Sequence, residues 1–177
     1  PELRLLDVGK WKNPKFAGEK IPTLDEMLAT VPDGKAAYIE VKCGPEIVPE
    51  LTRVLKATKL KPAQLPVISF NAAVIAAVKA ARPDIPAYWL VSLDRKGAKP
   101  PTAAELIAKA KELRADGLDH PATASLNEAF AAEVKKAGLK LYVWTVNDAA
   151  VAKRMAKLGV DGITTDRPAW LREQLAK

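Results

Sequence analysis

The 177-residue chain holds one cysteine, Cys43, and one histidine, His120. A disulfide framework is therefore impossible, and zinc sites of the usual Cys/His kind are excluded with it. No apolar run approaches the ~20 residues that a membrane span needs. The opening stretch, PELRLLDVGKWKN, has neither the apolar core nor the cleavage site of a signal peptide, and no methionine stands at its start. Neither GxGxxG nor the GxxxxGK phosphate loop occurs, so the dinucleotide and nucleotide-phosphate folds lose their main support. What is present is a globular composition, 49% hydrophobic and 28% charged. A chain of this length can bury about 70% of its surface, enough for one domain or most of a larger one.

The net charge of +7 invites a nucleic-acid reading. The basic residues, however, are spread at helical spacing, as in KAKELR (109–114) and VAKRMAKLG (151–159). They do not interleave with aromatics, and no nucleic-acid motif accompanies them. This pattern fits solvated helix faces, with a smaller share available to attract an anionic substrate.

Two textures alternate along the chain. Short β-branched or aromatic runs at 36–42, 66–70, 86–91, 140–146 and 161–165 read as strands, and ADGLDH at 115–120 is a weaker sixth. Between them lie Ala/Leu/Lys/Glu segments with apolar residues at i, i+3, i+4 and i+7, which read as amphipathic helices. Thr23 with Glu26, Thr102 with Glu105 and Ser125 with Glu128 form capping-box patterns, and Asn71 and Asn147 stand where N-caps belong. Gly138 and Gly159 close helices, a further helix covers roughly 45–59, and another starts at Pro168. Strict strand–helix alternation predicts βαβ units and a parallel sheet. An eight-stranded βα barrel needs about 250 residues and eight units. About six are counted here, which predicts a smaller open sheet or a TIM-type barrel lacking its first strands, and the start of the sequence favours the second.

In such a fold chemistry sits at the carboxyl ends of the strands. That filter selects Glu40 and Lys42, Ser69 and Phe70, His120, Trp144 with Asn147, and Thr165 with Asp166. Glu40 and Lys42 are two apart, so on a strand they share a side, while apolar Ile39 and Val41 take the helix side. The pair reads either as a buried ion pair or as a carboxylate for a hard cation beside an ammonium for an anionic substrate. Trp144 suits core filling or a pocket wall equally. Ser69 lacks a base beside it, Asn147 reads as a helix cap, Asp166 suits capping the last helix or chemistry equally, and Cys43 reads as a small packed residue. His120, followed by Pro121, is expected in a structural or solvent-exposed turn.

The stretch LLDVGKWKNPKFAGEKIPTLDEML (5–28), with YIEVK (38–42), ISF (68–70), VWTVN (143–147) and DGITTDRP (161–168), resembles the glycerophosphodiester phosphodiesterases nearly end to end. The resemblance implies a βα barrel that cleaves glycerophosphodiesters to glycerol 3-phosphate and an alcohol with Ca²⁺ or Mg²⁺. It implies Glu40 as a metal-binding carboxylate, Lys42 as a phosphate contact, Trp144 as a pocket wall and Phe70 as a further substrate contact. His120 matches none of the family's catalytic motifs. The family's two histidines and its Glu-x-Asp pair, which precede the LDVG segment, are not in this sequence, so no residue of this chain is assigned the acid or base role.

These expectations define two functions. The first is a metal-dependent phosphodiesterase represented here by its later portion, roughly 70 residues short of a full barrel. The 177 residues alone are expected to be neither active nor well folded, because one carboxylate holds a divalent cation weakly and open sheet edges leave backbone unpaired. Whether water or the substrate's own hydroxyl attacks phosphorus stays open. The second is a non-catalytic barrel relative that serves as a ligand-binding or assembly module, against which the retained Glu40–Lys42 pair weighs.

Overall fold

The computed structural model describes residues 2–93 and 100–176. Among them are six strands, β1 (Ile39–Glu40), β2 (Val67–Ser69), β3 (Ala87–Leu90), β4 (Gly117–Pro121), β5 (Lys140–Trp144) and β6 (Gly162–Ile163). All pair in parallel, in the order in which they occur in the chain. Helix α1 (Leu24–Leu28) precedes the sheet. Helices α2 (Val48–Ala57), α3 (Ala72–Ala81), α4 (Ala103–Glu112), α5 (Glu128–Lys136) and α6 (Ala149–Lys157) each link one strand to the next, and α7 (Pro168–Leu175) follows the last. Parallel neighbours require such crossovers, since a tight turn can join only antiparallel strands. The strands are shorter than the apolar runs that encode them. The run at 161–165 contributes only Gly162 and Ile163 to the ladder, while the weak ADGLDH signal becomes one of the two longest strands.

Helix starts follow the side chains nearest the first turn. Thr23 and Thr102 form full capping boxes with Glu26 and Glu105, and Asn71 accepts from the Ala73 N–H. Two caps differ from the expected residue. Asn127, rather than Ser125, accepts from Phe130 at 3.0 Å, because Ser125 is turned to Thr123 (2.8 Å). Asp148, rather than Asn147, caps α6 through the Val151 N–H at 2.9 Å. Gly138 and Gly159 adopt φ of +77° and +73° at helix ends, a region open to glycine at no steric cost.

The core lies between the sheet and its helices. Val67, Ala87, Leu118, Leu141 and Val143 point from the strands into it and meet Val74, Ile75, Val134, Ala152 and Met155 from the helices. Lys79 is buried there with its charge accounted for, its Nζ donating to the Asp116 carboxylate at 2.8 Å and to the carbonyls of Pro83 and Ile85. Asp116 also accepts from the Ala87 N–H, which ties α3 to β3 and to the start of β4.

The opposite face of the sheet is concave. In-register parallel neighbours point the same way, so the pairings place Glu40, Ile68, Tyr88, Leu90, Asp119, Tyr142 and Trp144 on one side. Tyr38, just before β1, and Tyr142 on β5 lie four sheet positions apart, about 19 Å on a flat sheet. Their ring centroids are 5.7 Å apart. The sheet therefore curls into a half-barrel, floored by Tyr38, Tyr88 and Tyr142. Gly162 makes room for that floor, since a Cβ there would meet Tyr142 Cδ1 at 2.7 Å.

Candidate active site

At the carboxyl ends of β1 and β2 a cavity of about 490 Å³ opens, lined by Glu40, Lys42, Cys43, Phe70 and Asn71 among others. Glu40 and Lys42 project to the same side, as their spacing predicts, and Val41 packs into the core. The Lys42 Nζ lies 3.4 Å from the Glu40 carboxylate, with 78% of the lysine side chain and 33% of the glutamate side chain exposed. A buried ion pair is thereby ruled out. The curled face is open on the side of β1, so both groups keep contact with solvent. An exposed pair of this kind adds little stability. It leaves a carboxylate and an ammonium within reach of a ligand.

Phe70 follows β2 and Trp144 ends β5, yet their rings meet edge to face with centroids 5.5 Å apart. The sheet curvature brings them together across the intervening strands. The Trp144 indole N–H donates to the backbone carbonyl of Asp119 at 3.1 Å, which fixes the plane of the ring.

Asp119 is a buried acid on the concave face that the sequence does not single out. Its side of β4 is the concave side, it is 2% exposed, and its Oδ1 has no hydrogen-bond partner among the described residues. Burial, and then the negative charge of Glu40, push its carboxyl up to about 7. The signal that could have found it is parity. Asp119 alternates with Leu118 and His120, and one of the two sets must face inward.

The other candidates are placed elsewhere. His120 is 1% exposed on the helix side of β4, in place of the expected turn, because β4 runs on through Pro121. Its ring packs on Phe130 with centroids 5.1 Å apart, and its Nδ1 donates to the Pro121 carbonyl at 2.7 Å. Burial lowers the imidazole's affinity for a second proton. Ser69 is fully buried, donating to the Val41 carbonyl at 2.6 Å and accepting from Asn71 N–H. Cys43 is exposed rather than packed, because it lies beyond the last ladder bond at Val41 and lines the open cavity beside Lys42. Asn147 and Asp166 do not cap helices. Asn147 donates to the Asp166 carboxylate at 2.7 Å and accepts from Thr165 Oγ1 and Asp166 N–H, joining the ends of β5 and β6.

A hard divalent cation wants about six to eight oxygens for Ca²⁺, from carboxylates, carbonyls and water. Among the described residues no cluster of three or more side-chain ligands converges. Glu40 is of the right chemistry for such a site, and it is the one carboxylate among the described residues that line the cavity.

The six parallel strands curl as part of a TIM-type βα barrel, with an acid, a base and two paired aromatics at the strand ends. The chain belongs to the glycerophosphoryl diester phosphodiesterase family, whose profile it matches over residues 1–170. It is 34% identical over 174 residues to the glycerophosphodiester phosphodiesterase of Caldanaerobacter subterraneus subsp. tengcongensis, covering 96% of this chain and 68% of that protein. A Bacillus subtilis glycerophosphodiester phosphodiesterase is 30% identical, with 94% of this chain and 61% of that protein covered. Among solved structures, an Oleispira antarctica phosphodiesterase in complex with its product sn-glycerol-3-phosphate superposes with a TM-score of 0.81 at 26% identity, over 99% of this chain and 70% of that one. The chain thus spans about two thirds of the length of its relatives.

Proposed function

We propose that this chain carries the phosphodiester-binding part of an enzyme that hydrolyses glycerophosphodiesters to glycerol 3-phosphate and an alcohol. The observation that carries the reading is the Glu40–Lys42 pair, 3.4 Å apart at the mouth of a cavity on the strand ends. Lys42 neutralises charge on the phosphoryl oxygens, charge that grows as the bond to the leaving alcohol breaks. Glu40 holds a divalent cation, Ca²⁺ or Mg²⁺. When bound, that ion polarises the phosphate and offsets its charge. Phe70 and Trp144 form an aromatic wall along the carbon skeleton of the substrate. The leaving alkoxide needs a proton, and His120, facing the helices, does not reach it. We assign that proton to none of the described residues and expect the 177-residue segment on its own to be inactive.

The test is hydrolysis of glycerophosphocholine by the full natural chain with Ca²⁺ or Mg²⁺, followed as released glycerol 3-phosphate. Lys42→Ala and Glu40→Gln should each lower kcat/KM by about 10²-fold or more, the scale for losing one charge-stabilising group. Turnover indifferent to both substitutions overturns the assignment.

A further inference from the structure

We propose that Ser69 is a positioning residue for Lys42, its buried hydroxyl fixing the peptide that aims the lysine at the substrate's phosphate. This rests on the reading of Lys42 as the phosphate contact and adds the group that holds it in place.

Among the described residues the cavity at the strand ends is lined by two stretches, 40–44 and 69–71. Glu40 lies inside the β1–β2 ladder, in register with Ile68. Val41 still follows it, its N–H donating to the Ile68 carbonyl at 2.9 Å. Lys42 lies past that bond. A parallel ladder carried one rung further would pair the Val41 carbonyl with the Phe70 N–H. That carbonyl accepts instead from the Ser69 hydroxyl, at 2.6 Å. A carbonyl and the N–H that follows it share one rigid plane, so the bond fixes the direction in which the chain enters Lys42.

The hydroxyl is a junction. It is fully buried and also accepts from the Asn71 N–H at 3.1 Å, while the Asn71 side chain caps α3. One oxygen thus ties the end of β1 to the first turn of α3. Because a side chain makes the last rung, the main chain at Phe70 can leave the strand. Its carbonyl accepts from the Trp89 indole at 3.3 Å, and its ring meets Trp144. A valine, as at Val67 two positions earlier on the same side, would fill such a buried position without supplying a donor. Lys42 depends on this support. Its side chain is 78% exposed, and its ion-pair partner Glu40 stands at 3.4 Å. A solvated pair holds a long side chain loosely, so the backbone beneath sets where the ammonium can reach.

The experiment is hydrolysis of glycerophosphocholine by the full natural chain, with Ca²⁺ or Mg²⁺, for Ser69→Ala in the wild-type and Lys42→Ala backgrounds. Thermal unfolding of each variant sets an assay temperature at which all are folded. In the wild-type background Ser69→Ala should lower kcat/KM by about tenfold or more, the scale for a slightly misplaced group. In the Lys42→Ala background the same substitution should cost less than about twofold, because the group it positions is gone. An equal loss in both backgrounds is the mark of a purely structural role and overturns the proposal. Wild-type activity in Ser69→Ala, with activity reduced in Lys42→Ala, overturns the role of Ser69 alone. Wild-type activity in Lys42→Ala overturns it together with the reading of Lys42. If Ser69→Ala fails to fold, Ser69→Cys, which keeps the shape and weakens the donor, replaces it with the same criteria.

Discussion

Trp144 reaches back from the end of β5 to the main chain of β4, its indole nitrogen 3.1 Å from the Asp119 carbonyl oxygen, while its ring and that of Phe70 meet edge to face. One ring thus couples the aromatic wall to the buried acid. Trp144→Phe keeps an aromatic ring and removes the donor, leaving that carbonyl without its side-chain bond. We expect a loss of about 1 kcal/mol in stability, read by urea unfolding. KM for glycerophosphocholine should rise, with a smaller change in kcat. Unchanged KM in Trp144→Ala would remove the wall assignment.

Asp119 makes stability depend on pH in the sense opposite to an ion-paired acid. Its carboxyl is pushed up to about 7 in the folded protein, against 3.8 ordinarily. The folded state therefore holds a proton that the unfolded chain releases between those values. Its contribution is full below pH 3.8 and is lost as pH rises towards 7, by roughly 4 kcal/mol at most. Asp119→Asn should flatten this part of the stability profile, measured by denaturant unfolding at successive pH values. A parallel profile in wild type and variant would show that the buried carboxyl does not titrate this way.

His120 works in the other direction. Burial depresses its imidazole below the ordinary 6.5, so the unfolded chain takes up a proton first as pH falls. The stability it lends is present above pH 6.5 and drains away as pH drops through the depressed value. His120→Ala should cost about 2 kcal/mol at neutral pH, from lost packing on Phe130 and an emptied site. Activity per folded molecule should not change. A fall in kcat with stability intact would bring the histidine back into the chemistry.

Much of this arrangement was legible in the residues. Period-two alternation placed Glu40 and Lys42 on one side of β1, and the capping boxes at Thr23 and Thr102 marked two helix starts that the structure contains. The sequence could not show how far the sheet curls. The meeting of Phe70 with Trp144, and the openness that leaves Lys42 in solvent, depend on that curvature. Strand β4 was faint because Gly117, Asp119 and Pro121 are poor strand formers, and pairing on both edges overrides their preference. Asp119 was hidden for the same reason, since a polar residue in a weak strand signal looks like a turn. Where two cap-forming residues lay close together, as at Ser125 and Asn127 or at Asn147 and Asp148, only the position of the first helical turn chose between them.

The order of the sheet bears on how the chain is made. Each described strand bonds only to its neighbours in the chain, and consecutive strands begin 20 to 30 residues apart. Synthesis adds about 5–20 residues per second, so each new strand leaves the ribosome within seconds of its partner. Among the six described strands no ladder has to wait for a distant segment, and the entropy of closing the loops between them stays small. The half-barrel can grow one unit at a time, and Glu40 and Lys42, at the end of β1, are laid down before Phe70 and Trp144 meet.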